Sequence, residues 1–328
     1  MRKVLVFGTA LAAASLSTVA VPAEAHTEPG PAVNAPVTPG RGTVQTNPGG
    51  GVGVTARAVM VTPLPPKTAT YSYGKGARQK LDAYWRDSGP DDAAPRPAVL
   101  ILHGGYWMSG DKGSWRYMAR RLVTRGYVVF SANYRLIPSS RWPSQREDVE
   151  AALDYIRSHA HRWNLDPSRI VVLGSSAGGH LATQLGTYGE GARRVRGVVA
   201  LSPVVSPSQA YQDGGLAGAD YPRVKLRHAV QMLVGCSPDE GAPECLDRLE
   251  DASSAAHAGA GDAPMLLVHS AEEFVPVSHS EGLAEALRAA GVPVTVRTVP
   301  GDAHGGTLLN DERLRESVIA WIDSVAKG

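Results

Sequence analysis

The sequence predicts an α/β fold built on a mostly parallel central sheet with helices on both faces, and three observations predict it. Short runs that are apolar on successive residues, such as Ala98–Leu102, Tyr127–Ala132 and Ile170–Leu173, recur along the chain. They alternate with segments of helical spacing, such as Arg146–His161, where Val149, Ala152, Leu153 and Ile156 share one face. Strands without polar alternation belong in sheets covered on both sides. The residue types that carry chemistry stand just after those runs, where open sheets of this kind bind ligands.

The elements follow in order. Thr68–Tyr73 and Gln79–Trp85 are rich in aromatic and β-branched residues and flank a turn at Gly74-Lys75-Gly76, so they read as strands. Asp87–Pro97 is punctuated by proline and glycine and reads as a loop. The apolar run Ala98–Leu102 is a strand, Trp115–Arg125 has helical spacing, and Tyr127–Ala132 is the next strand. Arg146–His161 is an amphipathic helix, Ile170–Leu173 a strand, Ala177–Leu185 a helix and Val195–Leu201 a strand. Met265–Val268 and Val292–Val299 are strands on either side of a helix at His279–Ala290, and Glu312–Val325 is a closing helix. The segment Ser206–Leu226 is too short for a large lid domain, so none is expected. The segment Ser206–Leu226 reads as part of a pocket wall.

The two ends of the chain differ in character. Arg2 and Lys3, an apolar run from Val4 to Ala14 and the small-residue site Ala23-Glu24-Ala25 have the order of a secretory signal peptide. Residues 1–25 are therefore expected to be removed by cleavage near Ala25 and the protein to be secreted. The apolar run is broken by Ser15, Ser17 and Thr18, short of the roughly 20 residues a spanning helix needs, so no stable membrane anchor is expected. Residues 26–66, rich in Pro and Gly, bury too little apolar surface to offset their ordering entropy and read as a flexible leader. Residues 67–328 remain for one catalytic domain. A formal net charge of +2, with no basic block interleaved with aromatics, gives no footprint for nucleic acid.

Four signals follow strands. Gly174-Ser175-Ser176-Ala177-Gly178 is a G-x-S-x-G pattern between a strand and a helix. A nucleophilic hydroxyl on such a tight turn needs small neighbours, and only Ser176 has glycine at both minus two and plus two. His103-Gly104-Gly105-Tyr106-Trp107 follows Ala98–Leu102. Its glycines let backbone N–H groups approach a developing oxyanion, with Gly105, Tyr106 and Ala177 as the expected donors. His103 reads as structural. After Met265–Val268 come Glu272 and Glu273, either of which could orient a base; counting back from Val275-Pro276 favours Glu272, counting from the strand end favours Glu273, and Glu273 is the expected acid. Gly301-Asp302-Ala303-His304 follows the last strand, so the order serine, acid, histidine is that of a strand–turn–helix hydrolase.

Together these residues resemble the α/β-hydrolase superfamily, and within it the esterase/lipase branch with an HGG oxyanion loop. The resemblance runs from about Ala98 to the C-terminus and includes Asn133-Tyr134-Arg135-Leu136, Trp142-Pro143, Asp148 and Asp166-Pro167. It implies a Ser176–Glu273–His304 triad, an acyl-enzyme intermediate, and a small-molecule or polysaccharide-linked ester as substrate, as in secreted acetyl and feruloyl esterases. No cofactor or metal is implied. The chain departs from the family pattern in having Glu where Asp is usual, on a loop one residue short before Val-Pro. Tyr106-Trp107 also resembles arylformamidases, which cut a formyl amide with the same groups. A third reading is a binding protein on a hydrolase scaffold.

Cys236 and Cys245 flank Pro238, Gly241 and Pro243. In an exported protein an even pair at this spacing predicts a disulfide. No further Cys or His stands at metal-ligand spacing.

Overall fold

A computed structural model describes residues 65–87 and 94–328. The expected signal peptide at 1–25 and the leader up to residue 64 lie outside the described residues. Eight strands, β1 (Lys67–Ser72), β2 (Lys80–Trp85), β3 (Arg96–Leu102), β4 (Val128–Ala132), β5 (Leu165–Ser175), β6 (Gly197–Leu201), β7 (Met265–Ser270) and β8 (Val294–Val299), form one sheet in the order β1-β2-β4-β3-β5-β6-β7-β8. β1 and β2 pair antiparallel, β2 joins β4 antiparallel, and every later pairing is parallel. β8 starts at Val294 and not at Val292 because Pro293 has no N–H for the ladder; its carbonyl still accepts from Met265 N–H.

The helices are α1 (Arg116–Thr124), α2 (Ser144–Ser158), α3 (Ala177–Thr187), α4 (Gly191–Arg194), α5 (Pro207–Asp213), α6 (Tyr221–Val234), α7 (Pro243–Asp251), α8 (Ser278–Ala289) and α9 (Glu312–Lys327). Alternate strand residues feed two cores. Leu100, Leu102, Val172, Ala200 and Leu267 pack with α2, α3, α6 and α8. Val99, Ile101, Leu173, Val199 and Val268 pack with Leu122 of α1 and Val318 and Ile322 of α9. Each fully buried leucine, isoleucine or valine is worth about 1.5–3 kcal/mol over leaving it in water, which explains the unbroken apolar runs.

The stretch Ser206–Leu226, expected as part of a pocket wall, contains α5 and the first half of α6. Ser206 Oγ caps α5 by accepting from Gln209 N–H, and Asp220 caps α6 by accepting from Arg223 N–H. Pro207 and Pro222 sit in the first turns, where the absent N–H costs nothing. Cys236 and Cys245 form a disulfide, with Cα atoms 5.9 Å apart, that ties the end of α6 to α7. Among the described residues no helix is long and apolar enough to cross a membrane.

Register positions the site. Leu102 pairs with Gly174, Ser175 with Leu201, Leu201 with Val268, and Ser270 with Val299. The segments that leave β3, β5, β6, β7 and β8 therefore emerge along one carboxyl edge.

Candidate active site

Ser176 sits between β5 and α3 with φ 52° and ψ −119°. That left-handed backbone costs about 1–3 kcal/mol for a non-glycine residue and persists only where its surroundings over-determine it. Here Ser176 N–H donates to Leu201 O at 2.8 Å, its carbonyl accepts from His180 N–H at 2.9 Å, and all of α3 is buried. The turn closes only because its glycines lack side chains. A Cβ on Gly178 would stand 2.3 Å from Leu102 O, and one on Gly104 would stand 2.9 Å from Ser175 O.

The close approach at Gly104 brings the loop after β3 against the serine. Gly105, Tyr106 and Trp107 all have positive φ, at 122°, 57° and 56°. The N–H groups of Gly105, Tyr106 and Ala177 donate to no acceptor among the described residues, as an oxyanion site requires. The loop is held from three sides. Trp107 is fully buried and its Nε1 donates to His180 Nδ1 at 3.2 Å, while His180 Nε2 donates to Ala252 O at 2.7 Å. Tyr134 Oη donates to His103 O at 2.8 Å. The His103 ring stacks on Tyr134 with centroids 4.4 Å apart, and its Nδ1 donates to Gly104 O. Burial pushes His103 and His180 each down to about 4, so both stay neutral near pH 7. Asp148, from the same stretch of resemblance, receives hydrogen bonds from Arg135 N–H and Gln79 Nε2 and holds the Tyr134 segment in place.

His304 follows β8. Its Nδ1 lies 2.5 Å from Glu273 Oε2, and its Nε2 is buried without a partner among the described residues. The turn beyond it returns to the elbow: Gly306 N–H donates to Ser175 Oγ at 2.9 Å, and a Cβ on Gly305 would stand 3.8 Å from Ser176 Cβ. The structure thus brings Ser176, His304 and Glu273 to one place and leaves Glu272 exposed to solvent.

Two residues missed in the sequence complete the carboxylate's surroundings. Ser202, at φ 48° just past β6, donates from Oγ to Glu273 Oε1 at 2.8 Å and accepts from Gly305 N–H at 2.8 Å. His269 Nδ1 lies 3.0 Å from the same Oε1, and its Nε2 lies 2.6 Å from Ser280 Oγ. Ser270 N–H adds a further bond at 2.9 Å. Burial pushes the Glu273 carboxyl up, but the hydrogen bonds from His269 and His304 outweigh it and hold the group below its ordinary range. A strand-end serine and a strand-end histidine were visible in the sequence, but nothing in it aimed them at residue 273.

Phe274 lies against His304 with centroids 4.2 Å apart, Tyr106 stacks on Phe274 at 5.9 Å, and Lys225 Nζ stands 4.4 Å from the Tyr106 ring. No group of three or more His, Cys, Asp or Glu side chains among the described residues is placed to hold a metal ion.

The BD-FAE family profile matches residues 81–287. The chain belongs to the BD-FAE family. The matched span contains the elbow, the loop after β3 and Glu273, and ends before His304. The chain is 28% identical over 262 residues to the probable carboxylic ester hydrolase LipM of Mycobacterium tuberculosis, covering 76% of this chain and 58% of that protein. It is also 28% identical over 251 residues to the esterase LipC of the same organism, covering 74% and 60%. It spans about three-fifths of the length of these relatives. A truncated carbohydrate esterase from gut microbiota superposes with a TM-score of 0.66 at 23% identity, covering 80% of this chain and 98% of that one. The α/β-hydrolase fold and the resemblance to its esterase branch, both expected from the sequence, are borne out.

Proposed function

We propose that this chain is a carboxylic ester hydrolase working through Ser176, His304 and Glu273. The observation that carries the reading is His304, whose Nδ1 is committed to a buried carboxylate while its Nε2 is left unpartnered beside the elbow. An imidazole so held can take a proton only at Nε2, as a general base does. His304 removes the Ser176 proton as the hydroxyl attacks the ester carbonyl. The oxyanion is received by the N–H groups of Gly105, Tyr106 and Ala177, each able to contribute about 3–4 kcal/mol in the transition state. His304 then gives its proton to the leaving alcohol, and water, activated the same way, releases the acid and restores Ser176.

The similarity to a carbohydrate esterase and to two mycobacterial esterases supports an ester substrate, with a polysaccharide-linked ester as the natural class. Export is part of the proposal: the charged, apolar and A-x-A order of residues 1–25 and the disulfide both suit an oxidising compartment. Wild type is expected to hydrolyse p-nitrophenyl acetate and to be labelled by a fluorophosphonate, and Ser176→Ala to lose both. Equal turnover by the two purified proteins would overturn the proposal.

A further inference from the structure

We infer that Arg78, in the turn between β1 and β2, is a positioning residue for the oxyanion loop: it fixes the proton of His103 on Nδ1, and that proton, through Gly104, aims the Gly105 N–H. This role rests on the reading of Ser176 and His304 given above. Arg78 lies before the span matched by the family profile, which starts at Leu81.

The Arg78 guanidinium meets the loop after β3 at both ends. Nη2 lies 3.2 Å from His103 Nε2, where the loop starts, and donates to Gly110 O at 2.8 Å, on its far side. Nε donates to Tyr134 O at 3.0 Å, and Tyr134 Oη donates in turn to His103 O. A planar fork can serve these three acceptors at once, which a lysine ammonium, a single point of charge, cannot.

These contacts leave His103 one neutral form. A guanidinium has no lone pair to offer, so Nε2 must accept. Gly104 O, 2.8 Å from Nδ1, can only accept, so Nδ1 must carry the proton. Burial, and the Arg78 charge with it, oppose a second proton on the ring. Nor is there slack between the parts, since a Cβ on Gly110 would stand 2.4 Å from both Gly104 O and His103 Nδ1.

The consequence falls one peptide further along. Gly104 C=O and Gly105 N–H belong to the same planar trans unit and point in opposite directions. A carbonyl held by His103 on one side therefore directs the N–H to the other, where it has no acceptor among the described residues. Tyr106 N–H is aimed in the same manner by the turn itself: the Gly105 carbonyl of its peptide accepts from Met108 N–H at 2.9 Å and Ser109 N–H at 3.0 Å. Gly105 N–H is thus the donor that depends on Arg78.

Two readouts test this role. The first is the His103 tautomer, read from the ring nitrogen chemical shifts at pH 7, with His103→Gln used to assign the signals. Wild type should show a protonated Nδ1 and an unprotonated Nε2. Arg78→Met, which keeps the length and removes the donors, should show Nε2 protonated in part of the molecules. The second is turnover of p-nitrophenyl acetate. Complete removal of one oxyanion donor costs about 10²–10³ in kcat, so Arg78→Met, which misaims one, should lower kcat about tenfold or more with KM within about twofold. Arg78→Lys, which can still donate to Nε2, should recover part of the tautomer and part of kcat. A protonated Nε2 in wild type overturns the assignment, and this result needs no folded variant. Wild-type kcat in Arg78→Met overturns it as well, and so does a fall in kcat with the tautomer unchanged, the mark of a purely structural arginine. A wild type that hydrolyses no ester and takes no fluorophosphonate would overturn the reading of Ser176 instead, and this role with it.

Discussion

His304 Nδ1 and Glu273 Oε2 lie 2.5 Å apart, while the other oxygen of the same carboxylate is shared by Ser202, Ser270 N–H and His269. One oxygen orients the imidazole and the other is anchored to the scaffold. We propose that the extra methylene of glutamate meets this geometry on a loop that the resemblance implies is one residue short.

Glu273→Gln keeps the shape but can present an N–H to His304 and favour the wrong tautomer. A fall in kcat of about 10³–10⁴ is expected on p-nitrophenyl acetate. Glu272→Gln, at the exposed neighbour, should leave kcat and KM at wild-type values.

Shortening the acid should also be costly. Glu273→Asp withdraws the carboxylate by one bond length, and a displacement of that order costs about 10²-fold in kcat. Inserting one residue between Phe274 and Val275 in that variant should recover part of the loss. If Glu273→Asp alone matches wild type, side-chain length is not what compensates for the short loop.

The Trp107–His180 hydrogen bond holds two consecutive non-glycine residues at positive φ, each costing about 1–3 kcal/mol. His180→Ala should let the loop relax and withdraw its N–H donors, lowering kcat more than it raises KM. His180→Gln, which can still accept from the indole, should restore part of kcat. A change confined to KM would mean that the loop geometry does not depend on this contact.

Acid should weaken the fold before it reaches the carboxylates. Burial holds His103 and His180 at about 4, below the roughly 6.5 of an unfolded histidine. The unfolded chain therefore binds more protons between those values. Stability from these groups is complete above about 6.5 and declines as pH falls to about 4. Glu273 is also depressed in the folded state; its contribution is present above the ordinary carboxylate value and fades as pH falls through its folded value. Urea midpoints at pH 7 and pH 5 should fall in wild type, and fall less in His180→Gln.

Cys236→Ser/Cys245→Ser should lower unfolding stability by about 2–3 kcal/mol, read from denaturant titration. The bridge lies on α6 and α7, away from the serine, so activity at room temperature should persist.

By itself the sequence determined the eight strands, five of the helices, the elbow at Ser176, the glycine loop at 103–107 and the late His304. Each rests on local physics: unbroken apolar runs, small residues where a turn is tight, glycine where backbones approach. It chose Glu273 over Glu272 only by counting from the strand end, because neighbouring carboxylates in a loop are equivalent until one side is buried. It also left α5, α6 and α7 unread, where proline and glycine signals masked helices, two of them capped by Ser206 and Asp220. Only the tertiary structure decided these, along with the parts played by Ser202, His269 and His180. The partners of Ser202 and His180 lie 71 and 73 residues away, and a hydrogen bond across such a distance depends on strand register and helix packing, which no local pattern encodes; His269 stands only 4 residues from Glu273, and there it is the burial of both groups that the sequence does not display.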